Sequence, residues 1–119
     1  MADQQDKYAD VPPHLLEKVQ AWVAEHGSED VVWWNTRRGF CCFKTPQDTD
    51  YERFIDRVAK DKESKAIALR ELAQNSRLYP ENLDELKSIF SKLPALPAAI
   101  GGTLSDMAGA DAKAGSAKS

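Results

Sequence analysis

The stretch FCCFKTPQDTDYERFIDRV, residues 40–58, sets two adjacent cysteines, a Thr-Pro pair and an amphipathic run side by side. Three readings compete for it: a metal site, a redox site, or a strand handing over to a helix. Spacing favours the third. Phe40, Cys41, Cys42 and Phe43 suit a strand in this context, and Val31, Val32, Trp33 and Trp34 ahead of them are strong strand formers. Between the two runs lies NTRRG, whose glycine suits a positive φ, so the segment reads as a β-hairpin with strands near residues 30–36 and 39–44. Neighbours along a strand face opposite ways, so Trp33 and Trp34 cannot share a face, and neither can Cys41 and Cys42. Both faces of the ribbon are then apolar and need cover, from the chain's own helices or from a second copy. This predicts a homo-oligomer, with self-association through Trp33, Trp34, Phe40 and Phe43.

Working outward, VPPHLLEKVQAWVAEHG places Leu15, Leu16, Val19, Trp22 and Val23 at helical spacing. Prolines at the start and Gly27 at the end predict a helix over residues 13–26. After the hairpin, Thr45-Pro46 offers one helix start, and Thr49 with Glu52 offers a capping box. Tyr51, Phe54, Ile55 and Val58 make the apolar stripe of that helix, and a break is expected at residues 60–63. The next helix carries Ile67, Leu69, Leu72 and Ala73 and halts before Pro80. A further one is capped by Asn82 with Glu85 and striped by Leu83, Leu86, Ile89, Phe90 and Leu93. The last begins at Pro97 and aligns Ile100, Leu104 and Met107. Gly101-Gly102 inside it predicts a break or weakening first and a close helix contact second, since each glycine costs about 1 kcal/mol relative to alanine. The fold class expected is α+β, mainly α: an N-terminal helix, one antiparallel hairpin, then three to four amphipathic helices. Residues 1–10 read as a flexible start, 11–109 as one domain and 110–119 as a disordered tail.

The chain of 119 residues has a net charge of -3, unevenly spread. Residues 1–35 hold seven acids and two bases, while residues 36–77 hold ten bases and seven acids. Bases interleaved with acids along helices describe a solvated, ion-paired face, so nucleic acid is not an expected ligand. Arg37 and Arg38 beside Trp33 and Trp34 could stack bases and contact phosphates, but such tryptophans more often fill a core. The start MADQQDKYAD has no apolar run, and no stretch approaches the roughly 20 apolar residues that span a bilayer, so a cytoplasmic protein with free thiols is expected.

Structural zinc wants four ligands, usually in CxxC-type clusters, whereas this chain has two cysteines that adjoin and two histidines, His14 and His26, twelve residues apart. A Cys–His pair would lack an orienting third group and an oxyanion site. Asp48, Asp50, Glu52 and Asp56 suit the dipole at a helix start, and helix geometry spreads them over several faces, which argues against a metal or acid–base site. No glycine-rich phosphate loop is present. No metal, no cofactor and no enzyme activity are expected.

The order of parts resembles phage tail assembly chaperones and their prophage relatives. The hairpin ends on Phe43-Lys44-Thr45-Pro46, and Tyr51, Glu52, Arg53 and Phe54 open the next helix. Leu78-Tyr79-Pro80 makes a hydrophobic-x-Pro turn, Pro94 to Pro97 a Pro-x-Leu-Pro segment, and Ala108-Gly109 closes a short helix. The resemblance covers about residues 30–109; the first helix and the paired tryptophans fall outside its pattern. It implies a holdase that covers an apolar helix of a tape-measure-like protein before the tail encloses it. The client-binding residues expected on that basis are Leu86, Phe90, Leu93, Ile100, Leu104 and Met107, with the glycine-interrupted last helix as a displaceable lid. A small nucleic-acid-binding or regulatory adaptor, using the basic middle, is the alternative.

Overall fold

The computed structural model describes residues 7–60 and 65–110, with residues 112 and 115. A 3-10 turn, Pro13–Leu15, leads into α1, Leu16–His26. Gly27 ends it by donating its N–H to the Val23 carbonyl at 2.8 Å. The hairpin follows as β1, Val31–Thr36, and β2, Gly39–Lys44, joined through Arg37-Arg38. Trp33 pairs with Cys42 and Trp34 with Cys41. Gly39 sits at φ 143°, and a Cβ there would come 3.0 Å from Ile89 Cδ1, so the turn takes glycine on both counts. Then come α2, Asp48–Lys60, and α3, Lys65–Asn75. A short β3, Arg77–Tyr79, pairs antiparallel with β2, and α4, Leu83–Lys92, and α5, Leu96–Ser105, follow, with a π-helical turn at Asp106–Ala110 after them. The architecture is α+β and mainly helical, with a three-stranded sheet in the order β1-β2-β3.

Where the fold departs from the sequence reading, the reasons are local. The segment expected to run as a helix up to Pro80 stops at Asn75, and Arg77–Tyr79 adds a strand to the hairpin. The Lys44 N–H donates to the Ser76 carbonyl at 3.0 Å, which starts that pairing. Neither helix-start signal after the hairpin is used as read. Thr45 turns back, its hydroxyl donating to Asp30 Oδ1 at 2.7 Å, and Thr49 and Glu52 both lie within α2. Asn82 does cap α4, its side chain accepting the Asp84 N–H at 2.8 Å. The end of the flexible start is also tied down: Tyr8 stacks on Trp33 at 5.7 Å between ring centroids, and Trp33 Nε1 donates to Asp10 Oδ1 at 2.9 Å. Residues 1–6, most of the expected break at 60–63 and most of the expected tail at 110–119 lie outside the described residues.

The sheet is a wall between two cores. On one face Val31, Phe40 and Cys42 pack with Val11, Leu15 and Val19 from the N-terminal layer. On the other, Cys41 and Phe43 pack with Phe54, Leu72, Leu86, Phe90, Ile100 and Leu104 from the helices that follow. Both faces of the hairpin are therefore covered within one chain, and Phe40 and Phe43 are core residues. The bare ribbon that called for a second copy does not exist.

Gly101-Gly102 does not break α5, which runs continuously from Leu96 to Ser105. Gly101 is buried against α3, where a Cβ would lie 2.6 Å from the Leu69 carbonyl oxygen. Close approach of two helix backbones, the second reading of the pair, is the one realised at Gly101. The next residue is unlike it: nothing lies within 4 Å of a Cβ built on Gly102.

Candidate functional site

The residues expected to hold a client are mostly spent on the core. Leu86, Ile100 and Leu104 have no exposure and Phe90 has 5%. Leu93 and Met107 are half-buried. An α5 packed so closely at Gly101 is not the loosely held lid expected from its glycines. Trp33 and Trp34 are half-buried, the first under Tyr8 and the second edge-on to Phe43 at 5.7 Å.

Apolar surface is instead left on α2. Among the described residues the exposed large hydrophobics are Ile55, at 51%, and Val58, at 37%. Of the stripe Tyr51, Phe54, Ile55 and Val58, only Phe54 is fully buried, with Tyr51 partly buried against the same core. The helix packs on α3, where Arg57 Nη1 meets Glu71 Oε1 at 2.8 Å, and on α5, where the Tyr51 hydroxyl and Ser105 Oγ stand 3.0 Å apart. These contacts turn Phe54 inward and leave Ile55, one helical step further round, in solvent.

Open space lies beside Ile55. A depression of about 720 Å³ lies along α2 against Tyr51, Glu52, Ile55, Asp56 and Ala59. A second, of about 300 Å³, shares Tyr51 and Glu52 and reaches Pro46, Met107 and Ala108. The two adjoin at Tyr51 and Glu52, one reaching Ala59 on α2 and the other Met107 and Ala108 just past α5. Asp48, Glu52 and Asp56, four residues apart, make an acidic row beside them, so three of the four carboxylates expected on several faces share one side. Asp56 is paired with Lys60 at 3.2 Å. The residue spacing contained this row; what it did not contain is which side of the helix stays uncovered.

The chemistry available elsewhere is limited. Cys41 and Cys42 are fully buried in opposite cores, and burial pushes both thiols up to about 12. At neutral pH they remain protonated, shielded and unreactive. His14 is exposed, and His26 stands 3.7 Å from Glu25. Among the described residues no three histidine, cysteine, aspartate or glutamate side chains are grouped as a metal site would require. No described helix is long and apolar enough to cross a membrane.

A family described as a domain of unknown function (DUF6848) matches residues 35–116, and the chain belongs to that family. No curated protein and no solved structure matches it.

Proposed function

We propose that this DUF6848 member is a non-enzymatic binding protein of the tail-assembly-chaperone kind, which holds an apolar helical segment of a long, tape-measure-like partner in the cytoplasm. The reading is supported by one observation above the others. Among the described residues the exposed large hydrophobics, Ile55 and Val58, both lie on α2, and Ile55 lines an open depression there. A client helix laid there would cover Ile55 and Val58 with its own apolar face. Tyr51 and Met107 continue the apolar floor towards the end of α5. This moves the client site from the C-terminal helices, whose apolar residues are internal, to the second helix.

The test is co-expression of the full chain with long amphipathic fragments of a candidate tape-measure-like protein. Binding to the wild type, lost in the Ile55→Asp/Val58→Asp variant with its circular dichroism unchanged, supports the α2 site. Binding that survives this variant removes the α2 site from the proposal. If no such fragment is bound or kept soluble, the chaperone reading itself fails.

A further inference from the structure

The two edges of the sheet are built differently. β3 is three residues long, opens on Arg77 and runs directly into Pro80, and a register shift interrupts its pairing at Cys42/Phe43. A short strand, a charge, a proline and an irregularity are the usual means of keeping an edge from pairing further. β1 has none of them. Val31–Thr36 carries neither charge nor proline and pairs with β2 residue for residue.

The outward-facing groups of β1 follow from the ladder. Lys44, opposite Val31, sends its N–H to Ser76 on the β3 side, and the next residue, Thr45, sends its own to the Asp30 carbonyl at 3.0 Å. Backbone groups alternate in direction along an antiparallel pair. Val31, Trp33 and Asn35 therefore point their N–H and C=O groups away from β2. Among the described residues none of these groups meets a backbone partner on the outer side.

Charge flanks this edge in opposite signs. Arg37 and Arg38 stand exposed at one end, and Glu29 and Asp30 are exposed at the other. The salt bridges of the described residues include neither arginine and neither acid. The Asp30 carboxylate accepts from Thr45, whereas Glu29 stands free of ion pairs.

We propose that two copies of this chain pair β1 to β1, antiparallel, about a two-fold axis at Trp33. In that register Trp33 faces its own counterpart and Val31 faces Asn35 of the second copy. Each outward N–H then meets an outward C=O, and Arg37 of each copy comes opposite Glu29 of the other. The arrangement is self-complementary, as a two-fold interface must be. It joins two sheets edge to edge, leaving both faces and both cores as they are. Self-association thus takes place along the backbone edge at Trp33, not over the apolar faces that carry Phe40 and Phe43. The α2 site takes no part in it, and the measurement needs no client, so this proposal and the functional one stand or fall separately.

The experiment is sedimentation of the full chain across a concentration series, at low and high salt, with hydrogen exchange at the same concentrations. A dimer is expected, weakened by salt. Its amides at Val31, Trp33 and Asn35 should exchange more slowly as concentration rises, while those of Val32 and Trp34 stay unchanged. Asn35 is exposed and its N–H points outward, where proline is tolerated, so Asn35→Pro should keep the fold and weaken the dimer by about tenfold or more. Arg37→Glu and Glu29→Arg should each weaken it, and the two together should restore it. A monomer at every concentration overturns the proposal. So does a dimer indifferent to Asn35→Pro whose Val31, Trp33 and Asn35 amides show no concentration dependence. A charge exchange that restores nothing overturns the register about Trp33.

Discussion

Alanine at Gly101 and alanine at Gly102 should move stability in opposite directions, although the two positions adjoin in one helix. At Gly101 the new Cβ would lie 2.6 Å from the Leu69 carbonyl oxygen, 2.7 Å from its Cβ and 2.9 Å from its Cα. Carbon contacts settle at roughly 3.5–4.0 Å, so α5 and α3 must part by about 1 Å or distort. Two of the three obstructing atoms belong to backbone, and no side-chain rotation removes them. Overpacking of this kind costs roughly 1–3 kcal/mol, with the upper end apt here, and the better helix propensity of alanine returns about 1 kcal/mol. Gly101→Ala should therefore destabilise by about 2 kcal/mol. At Gly102 the propensity gain stands alone, because nothing lies within 4 Å, and Gly102→Ala should stabilise by up to about 1 kcal/mol. Urea unfolding followed by tryptophan fluorescence and by circular dichroism measures both, and an unchanged m-value confirms that stability alone has moved. Shifts of the same sign would refute the close packing of α5 on α3.

Three further outcomes follow from the packing. Phe54→Ala should cost about 3 kcal/mol or more, whereas Ile55→Ser beside it should stay within about 0.5 kcal/mol, both read by urea unfolding. The thiols of Cys41 and Cys42 are pushed from 9.0 to about 12 in the fold, so the unfolded chain gives up these protons first as pH rises. Their contribution is whole below pH 9.0 and is lost between there and about 12. The slope is about 1.4 kcal/mol per pH unit for each thiol, and unfolding curves of a Cys41→Ala/Cys42→Ala variant should lack it. Removing the Tyr8 ring and the Asp10 carboxylate together should cost about 1–2 kcal/mol and shift tryptophan emission to the red, since both cover Trp33.

The hairpin and the helix order were legible because periodicity and turn chemistry act over a few residues. The alternation at 31–34 and 40–43 placed Cys41 and Cys42 on opposite faces, and the structure puts them in separate cores. What covers a face is a different matter. The stripes of α2 and α4 look alike in sequence. The α4 stripe meets the sheet and buries Leu86, Ile89 and Phe90, whereas the α2 stripe overhangs its support and leaves Ile55 and Val58 in water. β3 escaped notice because three residues carry too little alternation to read, and its reason for being a strand is the β2 edge beside it. Gly101 was open to either reading because the neighbour it accommodates, Leu69, lies 32 positions back in the chain.

A wall shared by two cores also decides where the chain can be cut. The family match opens at residue 35, near the end of β1, yet β2 needs α1 and the segment from Tyr8 to close over Phe40 and Cys42. A fragment trimmed to the matched residues would lose Val31–Trp34 and bare one side of its central strand. Such a piece should be insoluble, or should find its missing layer in another molecule, when expressed alone. The unit that folds is longer than the unit that is shared, and a fragment meant to behave should start ahead of Tyr8.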